Sequence, residues 1–262
     1  MAMSTVFCPK CQQEYELDIW NTDTPRITCP KCQQEYDLGE TDIGYLAEQG
    51  YPQSQFILGL CYYFGHGVNI CRTLAFSWFQ KAAEQGYVDA QYRVGVCYDL
   101  GEGADQDRKE AAKWYRKAAE QGMVEAQIAL GELYCRGEGA EQNIEEGIKW
   151  LRIAAEQGDV WAQYILGSKC EKFGTEEEAA KWYRKAAEQG LVNAQYQLGW
   201  CYEYGRGVRK NSKVAIKWYR KAAEQGDTWA QDSLRTLELR EKTKRKREQK
   251  TENDLDTTSN LF

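Results

Sequence analysis

The sequence predicts an all-α solenoid of two-helix repeats, preceded by a small β-rich module. Three observations predict it. The tag Ala-Glu-Gln-Gly recurs, ending at Gly50, Gly86, Gly122, Gly158, Gly190 and Gly226, with a spacing of 36 residues and one interval of 32. Each half of the repeating unit carries its own apolar pattern at helical period. The first 40 residues hold two near-identical pairs of cysteines.

Self-similarity at such a period is the mark of stacked repeats. It divides the chain into repeats at 51–86, 87–122, 123–158, 159–190 and 191–226. In the second half of repeat two, Ala111, Trp114, Tyr115 and Ala118 share one helical face, while Lys113, Arg116, Lys117 and Glu120 fall opposite. That is an amphipathic helix with one buried side. Lys181–Ala187 and Lys217–Ala223 repeat the pattern. Seven residues before each tryptophan stand Asp107, Asn143, Thr175 and Asn211, residues that accept hydrogen bonds from the open amides of a first turn. Glu110, Glu146 and Glu178 follow three residues later and complete a capping-box pattern. Repeat one has Cys71 at the cap position, so a frayed helix start is expected there. The glycine of each tag is placed for the left-handed conformation that closes a helix.

The first half leads from Ala90-Gln91 to Gly95 and Tyr98, from Ala126-Gln127 to Gly131 and Tyr134, and from Ala194-Gln195 to Gly199 and Tyr202. Glycines 59, 95, 131, 167 and 199 fall on its buried arc. Each costs about 1 kcal/mol of helix propensity, so a packing reason is expected, with the second-helix tryptophan filling the space. No helix pair buries enough surface alone, whereas a stack of neighbours does. Residues 41–50 read as a linker and capping helix, and 227–239 as a C-terminal capping helix that ends the repeat region 51–239. Residues 240–262 form a charged tail expected to fray into disorder.

The pattern Ala90–Gly103 followed by Ala111–Gly122 resembles the Sel-one-like repeat (SLR) family, a relative of tetratricopeptide repeats. The resemblance extends over all five copies. It implies a right-handed superhelix that adapts and assembles other proteins. A partner segment held on the concave face is the expected use. A single histidine leaves no base for most Ser-His and Cys-His mechanisms, so no enzymatic activity is expected. Repeat four departs from the pattern: Phe173-Gly174 replaces the Gly-x-Gly turn, and four residues are missing before Thr175. The loss falls in a connecting loop, so both helices are expected to survive. A local change of curvature near a binding site is the sharper alternative.

Cys8, Cys11, Cys29 and Cys32 form two C-x-x-C pairs at the spacing of a four-thiolate zinc site. The sequences Cys8-Pro-Lys-Cys-Gln-Gln-Glu-Tyr15 and Cys29-Pro-Lys-Cys-Gln-Gln-Glu-Tyr36 are near-copies. So short a segment lacks an adequate core, and a metal is the expected staple for residues 1–40. A closed site of four thiolates leaves no position for water, so the zinc is structural. The segment resembles the short zinc-ribbon domains at the front of many bacterial proteins, with Tyr15 and Tyr36 as the usual aromatics and Gln12 and Gln33 where glycine is usual. Residues 1–40 carry three basic and seven acidic residues, the opposite of a nucleic-acid footprint.

The whole chain is acidic, with 34 Lys and Arg against 40 Asp and Glu. A protein or peptide is therefore the expected partner and nucleic acid is not. No apolar run is long enough to span a bilayer, and the N-terminus lacks the features of a secretory signal, which points to the cytoplasm. His66, the single histidine, lies in a Gly-x-Gly turn whose equivalents are Glu102, Glu138 and Arg206, so it reads as a solvated turn. Cys61, Cys97 and Cys201 read as packed thiols. Phe56, Tyr92, Tyr164 and Tyr196, with Trp200 one turn on, form a first-helix stripe expected to face away from the buried arc and to bind a partner. Packing between repeats is the other reading of that stripe. Two rival functions remain: hydrolysis of the β-lactamase type linked to secreted relatives, and RNA binding by the basic tail.

Overall fold

The computed structural model describes residues 4–7, 14–17, 26–28, 35–37, 40–139 and 142–259. Those from residue 40 onward form an all-α repeat solenoid of twelve helices. Four short strands precede it. β1 (Ser4–Phe7) pairs antiparallel with β2 (Glu14–Leu17), and β3 (Arg26–Thr28) with β4 (Glu35–Asp37). Cys8, Cys11, Cys29 and Cys32 lie outside the described residues. The chain divides into two compact units, Met1–Gly147 and Ile148–Phe262.

In the first unit, α1 (Glu40–Glu48) leads into α2 (Pro52–Phe64), α3 (Arg72–Glu84), α4 (Val88–Leu100), α5 (Arg108–Glu120), α6 (Val124–Arg136) and the start of α7 (Ile144–Glu156). From α1 to α6 each helix packs on the next. Phe56, Leu60, Ala75, Phe79, Val94 and Trp114 belong to one core cluster that runs through two repeats. In the second unit, α8 (Val160–Phe173), α9 (Glu176–Glu188), α10 (Val192–Tyr204), α11 (Ser212–Glu224) and α12 (Thr228–Ser259) continue the alternation. Gly174 and Thr175 alone separate α8 from α9, so the shortened loop of repeat four leaves both helices in place.

The cap residues behave as their chemistry requires. Asp107 accepts hydrogen bonds from the amides of Lys109 and Glu110, Asn143 from Glu146, Thr175 from Glu178 and Asn211 from Val214. The second half of the capping box is corrected in repeats two and three. The amide of Asp107 donates to Tyr98 O at 2.9 Å and that of Asn143 to Tyr134 O at 3.1 Å, so the first helix supplies the acceptor that glutamate would have offered. At Cys71 the side chain makes no cap hydrogen bond. The helix nevertheless starts in phase at Arg72, because the Cys71 amide donates to Tyr62 O in the same way. The tag glycines all have positive φ, between 89° and 96°, as a left-handed helix stop demands.

The first-helix glycines have a packing reason, but tryptophan is not it. A methyl group on Gly95 would lie 2.6 Å from the Tyr115 ring, and one on Gly199 2.7 Å from Tyr219. In repeats one, two, four and five the residue after the tryptophan therefore fills the glycine seat. In those four repeats the tryptophan instead carries a lysine on its ring face three residues on: Lys117 Nζ is 3.6 Å from the Trp114 centroid and Lys185 Nζ 3.9 Å from Trp182.

Glutamines link successive repeats inside each unit. Gln91 Nε2 donates to Ala83 O of the preceding repeat at 3.3 Å, while its Oε1 accepts from Gln121 of its own repeat at 2.8 Å. Gln195 does the same with Ala187 O and Gln225. These side chains are buried and their amides are satisfied on both sides, which is what makes such burial tolerable.

The array ends at α12, whose first half takes the place of another first helix. Ala230 and Leu237 join the last core cluster. At the position of Gly199, one repeat length on, stands the exposed Arg235, so the seat for a further aromatic ring is closed. The expected break at 239/240 is also corrected, because α12 continues to Ser259 as one helix of 32 residues. Lys, Arg, Glu and Gln dominate that stretch and are strong helix formers.

Candidate protein-binding face

The stripe expected to be exposed is mostly half-buried. In the first unit Phe56 is only 6% exposed. It packs 5.6 Å from Phe79 and 5.2 Å from Tyr87. Its expected exposure is corrected: the Phe56 ring spans the junction of repeats one and two and is core. Tyr92 is half-buried, with its ring 5.6 Å from Tyr115. In the second unit Tyr164 lies 5.9 Å from Tyr183 and Tyr196 5.6 Å from Tyr219. The tilt of all three tyrosine pairs is close to 40°. Each first-helix tyrosine therefore leans on the ring that fills the glycine seat of its own repeat, and so cannot stand free.

Trp200 is also half-buried, 5.3 Å from Tyr204, with the Arg206 guanidinium 5.3 Å from its ring. The exposed aromatics on first helices of the second unit include other residues, with Tyr204 and Phe173 at helix ends and two tryptophans at helix starts. Trp161 is 53% exposed and Trp229 73% exposed. Trp161 meets Tyr164 edge-on at 6.3 Å. Both tryptophans sit at the second position of a first helix, where other repeats carry Asp89, Glu125 and Asn193. The repeat pattern hid them, because residues that do not recur leave no periodic signal. A large apolar side chain at a position otherwise polar was the cue.

Below this face lies a buried polar layer. The Tyr183 hydroxyl donates to Glu171 at 2.8 Å and the Tyr219 hydroxyl to Glu203 at 2.8 Å. Burial, and then the neighbouring carboxylate, push both tyrosine hydroxyls well above their usual range. Such groups stay protonated donors and hold the layer together; they are not poised to accept a proton. His66 lies in its turn beside Phe64. All six described cysteines are free thiols. Among the described residues no group of three or more His, Cys, Asp or Glu is placed to hold a metal ion. None of the described helices is long and apolar enough to cross a membrane.

The comparison with known families decides the identity of the repeats. The Sel1 repeat model matches residues 52–87, 88–123, 124–159, 162–191 and 192–227. The chain belongs to the Sel1 repeat family. Sel1 repeat proteins are in general non-enzymatic scaffolds for protein interactions. Two solved Sel1 structures are similar in sequence as well as fold. The uropathogenic Escherichia coli protective antigen c5321 is 39% identical with a TM-score of 0.71, over 76% of this chain and 43% of its own. A Sel1 repeat protein from Oxalobacter formigenes is 35% identical with a TM-score of 0.66, over 71% of this chain and 78% of its own. The match thus spans less than half of the length of the antigen. The tetratricopeptide protein YrrB, 22% identical with a TM-score of 0.52, shares the fold. No curated protein matches the chain in sequence.

Proposed function

We propose that this Sel1 repeat protein is an adaptor whose first-helix face holds a segment of a partner protein, with residues 1–40 as a structural zinc ribbon. The exposure of Trp161 and Trp229 on that face, beside the half-buried Tyr164, Tyr196 and Trp200, carries the reading. Aromatic side chains rigidly seated from below give large contact area at low entropic cost, and are the usual anchors of an interface. Tyr92 extends the same surface chemistry in the first unit. Phe56 supports it from within the core.

For the ribbon, the support is the donor set and its frame. Strands β1 and β2 bracket the segment that contains Cys8 and Cys11, and β3 and β4 bracket the segment with Cys29 and Cys32. Each C-x-x-C thus lies in sequence between two paired strands, and two such pairs supply the four thiolates zinc prefers. The metal would supply folding energy, about 10–16 kcal/mol in apparent terms for sites of this kind.

Affinity capture tests the adaptor reading. Full-length protein and a Trp161→Ala/Trp229→Ala variant are used as bait. Loss of a captured partner at an unchanged thermal midpoint supports it. Equal capture by both baits sinks it.

A further inference from the structure

Charge is segregated along this chain. Residues 1–147 hold 12 Lys and Arg against 23 Asp and Glu, whereas residues 148–262 hold 22 against 17. The overall charge of −6 therefore conceals a basic C-terminal part. Its densest stretch lies on α12, where Arg240–Glu248 contains six basic and two acidic residues. Arg240 is engaged, with its Nη1 3.3 Å from Glu203 Oε1. From Lys242 to Glu248 every side chain is exposed.

The distribution of those cations around the helix is informative. At 3.6 residues per turn, Lys242, Lys244, Arg245, Lys246 and Arg247 surround the axis and leave no arc wider than about 100° without one. Lys242/Arg245, Lys242/Lys246 and Lys244/Arg247 are like-charged neighbours at i,i+3 or i,i+4, and each destabilises the helix by a few tenths of a kcal/mol. The Lys244–Glu248 pair at 3.8 Å is well exposed and offsets little. Glu241 and Glu248 stand at the same spacings from Lys244 and Arg245 and offset part of this repulsion. The five cations between them are still in excess, and an anion on several sides would stabilise the helix.

We infer that Lys242–Arg247 is an element for binding duplex DNA, entering the major groove and contacting phosphates on both walls without selecting a base sequence. The major groove, about 12 Å wide, admits a helix about 10–12 Å across, and its two phosphate walls match cations that point in all directions. An acidic protein surface would meet only one side of the helix. A lipid surface would need an apolar face, and residues 240–250 contain no apolar side chain. The deep, narrow major groove of A-form RNA excludes such a helix. Screening over about 8 Å at physiological ionic strength limits how far acidic residues elsewhere can oppose the contact.

The test is fluorescence anisotropy with full-length protein and a labelled mixed-sequence duplex at about 50 and 200 mM salt. The variant Lys242→Gln/Lys244→Gln/Arg245→Gln/Lys246→Gln/Arg247→Gln keeps helix propensity. Wild type is expected to bind and to lose at least about tenfold in affinity across that salt range. The variant is expected to bind at least about tenfold more weakly, with a log–log salt slope shallower by up to about 4. No wild-type binding at the lower salt, or equal binding by the variant, overturns the inference. So does polyglutamate displacing the labelled duplex more effectively than unlabelled DNA at equal charge, which would make an acidic protein the partner. A helical circular dichroism signal equal to wild type shows that the variant is folded. If that signal falls, the salt dependence of the wild type decides alone.

Discussion

Tyr219 donates a 2.8 Å hydrogen bond to one oxygen of the Glu203 carboxylate, which is 7% exposed, while the other oxygen lies 3.3 Å from Arg240 Nη1. Repeat four builds the same bond from Tyr183 and Glu171. Repeat one places Tyr63 at the first-helix position and Phe79 at the second, with rings 6.2 Å apart. A second-helix hydroxyl thus goes with a first-helix acid, and an apolar ring goes with an aromatic partner. Tyr219→Phe should therefore cost about 1–3 kcal/mol, because it strips a buried carboxylate of a donor. Adding Glu203→Tyr recreates the pairing of repeat one and should recover part of the loss in urea denaturation. Strictly additive losses would rule the pairing out.

Gly95→Ala isolates the glycine seat. Propensity alone predicts a gain of about 1 kcal/mol. The added methyl group, 2.6 Å from the Tyr115 ring, predicts an overpacking loss of about 1–3 kcal/mol. The ring is buried and has no free space to move into, so a net fall in thermal midpoint is expected. A rise would show that the seat is loose.

Alkaline pH should destabilise the repeats. Burial pushes the Cys97 and Cys170 thiols up to about 11 and Cys201 up to about 12. Thiols in the unfolded chain ionise near their ordinary value of about 8.5. Stability from these groups is complete below that value and is lost as pH rises towards 11–12, since only the unfolded state releases protons. The slope is at most about 1.4 kcal/mol per pH unit for each thiol. Thermal midpoints should fall between pH 8.5 and 11, and less steeply in Cys201→Ala. A flat profile would refute the assignment.

Cysteine alkylation should separate the described thiols. Cys71 sits at the start of α3, where first the hydrogen bond with the Thr73 side chain and then the proximity of the Leu74 amide lower its pKa. Cys97, Cys135, Cys170 and Cys201 are buried. Iodoacetamide on native protein reconstituted with zinc is expected to label Cys71 first among the described thiols, by peptide mapping, and the buried four only on unfolding. Early labelling of Cys201 would contradict the packing.

Metal content tests the ribbon directly. Elemental analysis of purified protein should give one zinc ion per chain, and Cys29→Ser should remove it. The midpoint of the repeats should stay within about 2 °C, given that among the described residues their core clusters are drawn from the helices. Wild-type protein without zinc after reconstitution would dismiss the site.

The repeats were legible in the sequence because each of their devices recurs. The cap residues, tag glycines and amphipathic second helices all stand where the pattern placed them. The stripe was legible only in position. Helical spacing put Phe56, Tyr92, Tyr164 and Tyr196 on one line, but burial depends on the ring beyond each glycine, which belongs to another helix. Gln91 and Gln195 were visible as recurring letters, and their role required knowing which carbonyl of the preceding repeat they reach. Trp161 and Trp229 were obscured for the opposite reason, since they break the pattern. Net charge averages over unlike parts, as the acidic front half outweighs the basic stretch on α12.

Arg235 has a consequence for how the array can grow. A second helix placed directly after α12 would bring a ring with no glycine to receive it, whereas a complete repeat carries its own glycine together with its own ring. The array can therefore grow by whole repeats and not by single helices.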